Sequence, residues 1–269
     1  MKIRAIIFLT FFLAVAAAYF LWFTEVPLVS DGTLYLVAPV AAALIALYVS
    51  RIYRFNSANG RAQLLIAAGL ACWGIAEIIT YVLNNIIPEA NTFPSLANFF
   101  LLLAFPIFGA GIYQGYTTAG VKLKQVNRSL LFTVLSASIV LTILVAYFGV
   151  NLVYDPESDL LSNIVTVSTG LGDLVLIILS MLTILVASEY KGGKLASFWK
   201  TMASGFFLFL VADIMFAMHG NEYTEDMYEV VMELAWIGAY LLLAYGVLEN
   251  YIHLSAVQKN IKAKLTQDK

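Results

Sequence analysis

KLKQVNRSLLFTVLSASIVLTILVAYFGVNLVYDPESDLLSNIVTVSTGLGDLVLIILSMLTILVASEYKGGK, residues 122–194, is the stretch on which the fold turns. It opens on Lys122, Lys124 and Arg128 and crosses an apolar run. It turns through Asp155, Glu157 and Asp159, crosses a second apolar run and closes on Lys191 and Lys194. A helix needs about 20 apolar residues to cross roughly 30 Å of hydrocarbon, and each run has that length. Lys and Arg concentrate in the cytoplasmic loops of membrane proteins. The stretch therefore reads as two membrane spans, with both ends inside and an acidic turn outside.

The same unit recurs along the chain. All 15 Lys and Arg residues fall into five clusters. These are Lys2/Arg4, Arg51/Arg54/Arg61, Lys122/Lys124/Arg128, Lys191/Lys194/Lys200 and Lys259/Lys262/Lys264/Lys269. The loops between them carry Glu25 and Asp31, Glu89, the Asp155 group, and Glu222, Glu225, Asp226 and Glu229. The alternation predicts an all-α, polytopic membrane protein of eight spans with cytoplasmic N- and C-termini. The spans are expected at about 3–24, 32–52, 62–86, 94–117, 127–150, 161–188, 196–219 and 227–252. Residues 1–252 then form one transmembrane bundle, and 253–269 a short basic cytoplasmic tail. The tail either extends the eighth helix by a turn or two or lies solvated near anionic lipid, the favoured reading. The first span has the basic start and small residues of a signal peptide, but its apolar run to Phe23 favours a retained helix. Pro94 suits the start of the fourth span, and Pro106 is expected to kink it.

Composition agrees. Of 269 residues, 61% are hydrophobic and 12% charged, with mean hydropathy +0.86. A soluble domain carries about 25% charged residues. The lipid bilayer is therefore the first partner, and nothing resembles a nucleic-acid surface. The single Cys72 allows no intrachain disulfide and no cysteine-rich metal site. The two histidines, His219 and His253, are placed at opposite faces, which argues against bis-histidine haem and multi-histidine zinc. No Lys lies in the body of a span for a retinal Schiff base, and GxSxG is absent. The expectation is a protein that is not an enzyme, without a cofactor or a metal.

Two stretches match at an offset of about 136 residues. WGIAEIITYV (73–82) pairs with FLVADIMFAM (209–218), and SLANFFLLLAF (95–105) with VMELAWIGAYL (231–241). This suggests two four-helix halves, 1–118 and 126–252, related by an axis along the membrane normal, as in transporters with parallel repeats.

Four acids lie well inside spans: Glu77, Asp173, Asp213 and Glu233. A charge at the bilayer centre costs about 2.5–3.5 kcal/mol on insertion scales, so such residues turn inward and mark function or close pairing. At about 1.5 Å per residue, Glu77 and Asp213 lie roughly 22 Å from the inner face, and Asp173 roughly 18 Å from the outer. Asn98, Glu233 and His219 sit near the outer face. The inner half has almost no such polar groups. The pattern predicts an outward-facing polar cavity, with Glu77, Asn98, Asp173, Asp213, His219 and Glu233 as its ligand-binding residues. The plainer alternative is that each acid bonds a neighbouring helix through Thr80, Tyr81, Ser168, Thr169 or Tyr240. Glu249 reads as a snorkelling surface residue. Gly111 and Gly115 form a close-packing face, within the bundle or between subunits of a homo-oligomer.

Four segments carry a family resemblance. PSLANFFLLLAFPIFGAGI (94–112), GDLVLIIL (172–179), FLVADIMFAM (209–218) and ELAWIGAYLLLAYG (233–246) resemble the multi-helix membrane sensor regions that precede diguanylate cyclase or histidine kinase domains. The resemblance covers about residues 60–250 and highlights Asp173, Asp213 and Asn98, where the family usually has Asp. It implies a sensor as a class; with the outward polar cavity, the expectation is a sensor that binds a small molecule, lipid or cation there and signals inward. No output domain follows in this sequence, so a separate cytoplasmic signalling partner is expected. The alternatives are a solute or proton-coupled transporter and a structural subunit of a membrane complex.

Overall fold

A computed structural model describes residues 33–119, 126–147, 154, 156–189, 194–219 and 227–267. These form seven long helices. They are α1 (Thr33–Ile52), α2 (Ala58–Asn85), α3 (Leu96–Ala119), α4 (Arg128–Ala146), α5 (Leu160–Glu189), α6 (Lys194–His219) and α7 (Met227–Gln267). A short 3-10 turn, Pro88–Ala90, precedes α3. Six of the helices, α2 to α7, are long and apolar enough to cross a membrane. The apolar part of α1, Leu36–Ile52, is shorter. Each of the last seven predicted spans coincides with one helix, and the first, 3–24, lies outside the described residues. Pro106 sits within an uninterrupted α3. α7 does not end near residue 252 but runs 41 residues to Gln267, so its basic C-terminal part is helical.

The helix starts follow from local chemistry. Ser57 is extended and its hydroxyl accepts the Gly60 amide at 3.0 Å, capping α2. A Cβ on Gly60 would lie 2.1 Å from the Arg54 carbonyl oxygen, so only glycine fits that turn. Asn127 caps α4 through the Ser129 amide. Asp159 caps α5, accepting the Leu161 and Ser162 amides at 2.9 and 3.0 Å. The hydrogen bonds from Ser162 hold its carboxyl below the ordinary Asp range.

Six helices close into a ring. Going round it, α1 packs on α2, α2 on α3, α3 on α5, α5 on α6, α6 on α7, and α7 returns to α1. α4 stands outside and packs on α5. Its outward face carries Phe132 (72% exposed), Leu135, Ile139 and Ile143, as lipid contact requires. Trp73 is fully buried in the ring. Its indole stacks flat on Phe209 at 4.4 Å, with Phe105, Phe108, Phe206 and Tyr240 around it. Lipid tails are as apolar as this core, so close packing rather than water exclusion must hold the ring together. Small residues permit it. Phe108 lies over Gly69, Phe105 over Gly172, Leu243 over Gly205 and Trp199 over Gly115. Gly111 meets Ala62, Leu65 and Ile66 of α2, so both glycines of the Gly111/Gly115 pair pack within the bundle.

One expectation is overturned. Ser50, Gln63 (4% exposed) and Asn250 (3% exposed) are buried at the Arg51/Arg61 end of the bundle, so that half is not apolar throughout. Backbone and a neighbouring helix supply partners for Ser50 and for the Asn250 carbonyl oxygen, whereas Gln63 Oε1 and Asn250 Nδ2 have none among the described residues. Ser50 donates to the Gly60 carbonyl at 2.6 Å, and Tyr53 to Asn250 Oδ1 at 3.3 Å. Glu249, expected at the lipid surface, is partly buried and accepts the Ser197 hydroxyl at 2.9 Å.

A Cβ on Gly172 would stand 2.3 Å from the Phe105 ring, whereas one on Gly109 meets only Leu179 at 3.8 Å. Gly172→Ala should lower stability in detergent by about 1–3 kcal/mol through overpacking. Gly109→Ala should be neutral or slightly stabilising. Equal unfolding midpoints for the two variants would contradict this packing.

Candidate functional site

Four helices of the ring bring polar groups to one level. α2 supplies Glu77, α5 Asp173, α6 Asp213, and α7 supplies Trp236 and Tyr240. Trp236 Nε1 donates to Asp213 Oδ1 at 2.8 Å. Tyr240 donates its hydroxyl hydrogen to Glu77 Oε1 at 2.8 Å. The two donors are one turn apart, and positions i and i+4 share a helix face. One face of α7 thus serves both acids.

The carboxyls of Asp173 and Asp213 interact directly, and Glu77 lies close enough to Asp213 to feel its charge. Asp173 is 6% exposed, and its Oδ1 has no hydrogen-bond partner. Glu77 and Asp213 are partly buried. One turn before each of them stands a stacked ring: Trp73 before Glu77 and Phe209 before Asp213. The acids therefore lie against an aromatic floor. The indole nitrogen of Trp73, one turn from Glu77, also lacks a partner.

The other expected site residues lie apart from this cluster or incompletely within view. Asn98 is a cap: its Oδ1 accepts the Ser95 amide at 2.8 Å and the Ser95 hydroxyl at 3.2 Å. That is the capping-box arrangement, in which the third helical residue reaches back to the cap. Glu233 is partly buried on α7, three residues before Trp236. α6 ends at His219, whose side chain lies outside the described part. Of the neutral partners considered for the acids, Tyr240 holds Glu77, whereas Thr169 bonds the Val165 carbonyl of its own helix. Trp236 was missed as a site residue. Its spacing of three from Glu233 and four from Tyr240 on one helical face was the available signal.

Grooves open on the bundle surface among the described residues. One lies between α2 and the start of α3, beside Ile78, Val82, Pro94 and Leu96. Another lies between α4 and α6, beside Phe132, Val140 and Phe207. Neither is lined by an acid of the cluster. Among the described residues, no three His, Cys, Asp or Glu side chains are placed to share a metal ion.

Tyr240→Phe should cost about 1 kcal/mol of stability, the scale of an interhelical hydrogen bond in a membrane. In a Glu77→Leu background the same substitution should cost almost nothing. The double-mutant cycle is read from unfolding midpoints. Equal costs in both backgrounds would show that the hydroxyl does not work through Glu77.

No protein-family model matches this chain, and no curated protein or solved structure shows significant similarity to it.

Proposed function

We propose that this chain is a multi-pass membrane sensor module. Its input is a ligand taken up at the Glu77–Asp173–Asp213 cluster, and its output is a displacement of α7 read by a cytoplasmic partner. The observation that carries this reading is the double role of α7. It donates the hydrogen bonds from Trp236 and Tyr240 to the acids. The same helix then continues to Gln267, past the end of its apolar part at Val257. Whatever changes the charge of the acids changes what holds α7. A ligand can shift such an equilibrium only by its differential affinity for the two arrangements, and the Trp236 and Tyr240 bonds supply that difference.

The finer architecture we propose is eight spans, with both termini cytoplasmic, built as an internal duplication. Its support is a set of contacts that recur at an offset of 135 or 136 residues. Gly69 against Phe108 corresponds to Gly205 against Leu243. Gly111 against Leu65 and Ile66 corresponds to Gly246 against Thr201 and Met202. Helix pairing repeats as well: α1–α2, α2–α3 and α3–α5 have α5–α6, α6–α7 and α7–α1 as counterparts. A two-fold axis sets equivalent residues side by side, and Trp73 and Phe209 are such a stacked pair. Glu77 and Asp213 are the next equivalent pair. The groups around them break the symmetry. Asp173, Trp236 and Tyr240 correspond to Val37, Leu101 and Phe105 in the first half. Packing alone would not require that polar addition.

Transport is the second reading, favoured by the same duplication and by the buried Gln63 and Asn250 beyond the aromatic floor. Solute uptake into proteoliposomes that is lost in Asp173→Asn would place it first.

The sensor reading is tested with nitroxide labels at Asn56 and Lys259 in a Cys72→Ala background, in lipid. Asp173→Asn/Asp213→Asn should move the interlabel distance by about 2–5 Å, the scale of helix shifts in switching proteins. Superimposable distance distributions would remove the reading.

A further inference from the structure

We infer that the species bound at the cluster is a single proton held between Asp173 and Asp213, donated by Asp173. This names the input of the sensor proposed above, and depends on that reading for its role though not for its chemistry.

Asp173 and Asp213 interact directly across two helices. No Lys or Arg occurs between residues 129 and 190 or between 201 and 258 to offset two negative charges there. Two carboxylates in contact repel, and more strongly where protein and lipid rather than water surround them. One proton between them turns that repulsion into a hydrogen bond. Asp213 Oδ1 already accepts from Trp236, which makes Asp213 the acceptor member of the pair. Asp173 then carries the hydrogen. Its bare Oδ1 supports this assignment: a buried neutral carbonyl oxygen without a partner is tolerable, whereas a buried anionic oxygen without one is far costlier.

The surroundings favour a proton over a metal cation. A hard cation such as Ca²⁺ takes about six to eight oxygen ligands. The described side chains do not gather even three metal-binding groups at one point. The other groups near the pair are accounted for. α2 contributes Glu77, which accepts from Tyr240. α7 contributes Trp236 and Tyr240, with Glu233 further along the helix. α3 contributes the Phe105 ring beside Gly172, and its titratable side chains, Tyr113 and Tyr116, come two turns or more later. α4 has no titratable residue between Arg128 and Tyr147.

Release of the proton to bulk water breaks the Asp173 O–H bond and leaves that electron pair on Asp173. Two anions then face each other across the α5–α6 contact, and the pull on Trp236 changes with them.

Infrared difference spectroscopy in lipid, from about pH 5 to about pH 10, takes a buried carboxyl through its titration. The expected result is a protonated-carboxyl stretch that vanishes as pH rises and shifts when Asp is labelled with carbon-13 in the side-chain carboxyl. It should be missing in Asp173→Asn and unmoved by saturating Na⁺, K⁺ or Ca²⁺ at fixed pH. The isotope shift assigns the band in the unsubstituted protein, so a poorly folded variant does not decide the matter. No Asp band at any pH, or a band that a cation removes at fixed pH, would overturn the proposal. A titrating Asp band with a pH-independent Asn56–Lys259 distance would keep the proton site and remove the sensor reading. A moving α7 without the band would do the reverse.

Discussion

Trp73 lies flat against Phe209, and the ring of six helices closes around that pair. In water such a stack would be one hydrophobic contact among many. In a bilayer the surroundings are as apolar as the core, and helices associate through shape and hydrogen bonding. An offset or edge-on aromatic contact is worth about 0.5–1.5 kcal/mol beyond its area. Trp73 makes five such contacts with rings from three helices other than its own. The glycines beneath Phe105 and Phe108 let those rings reach the centre. The acids stand one turn from the stack because Glu77 and Asp213 follow Trp73 and Phe209 by four residues on the same helices.

Positioning the acids this way has a consequence for their chemistry. The floor beneath them is aromatic, and among the described residues the neutral donors bonded to Glu77 and Asp213 come from α7. A carboxyl there must either bond a donor or share a proton with another carboxyl. Glu77 takes the first course; on the proposal above Asp173 takes the second and Asp213 does both. The helix that bonds the acids is also the one that continues past its apolar part to Gln267, so the proposed sensor needs no separate relay. At the other end, Tyr53 reaches Asn250 and Ser197 reaches Glu249, so α7 is also held where it emerges.

Much of this was readable along the chain, and the unreadable part has a physical cause. The basic clusters located the described spans because burying a charge is expensive, and that cost acts on each segment alone. That Glu77, Asp173 and Asp213 come to one level of the bundle followed from helical rise. Which helices touch did not, because lipid and protein interior select the same residues. For that reason the exclusion of α4 from the ring could not be foreseen. Asn98 looked like a site residue because its sequence neighbours match those of Glu233, yet its side chain is used by Ser95 at the helix start. Gln63 and Asn250 were passed over because neutral amides carry no charge signal. Trp236 was hidden among aromatics that elsewhere face lipid or core.

Everything above rests on Asp173 and Asp213 meeting beside the Trp73–Phe209 stack. An electron cryomicroscopy map of the protein in lipid nanodiscs, at a resolution that shows ordered water, tests it most directly. The expected map shows Trp73 stacked on Phe209, Tyr240 and Trp236 bonded to Glu77 and Asp213, and the Asp173 carboxyl against that of Asp213. Carboxyls of Asp173 and Asp213 held apart, with Trp236 and Tyr240 turned away from the acids, would contradict it.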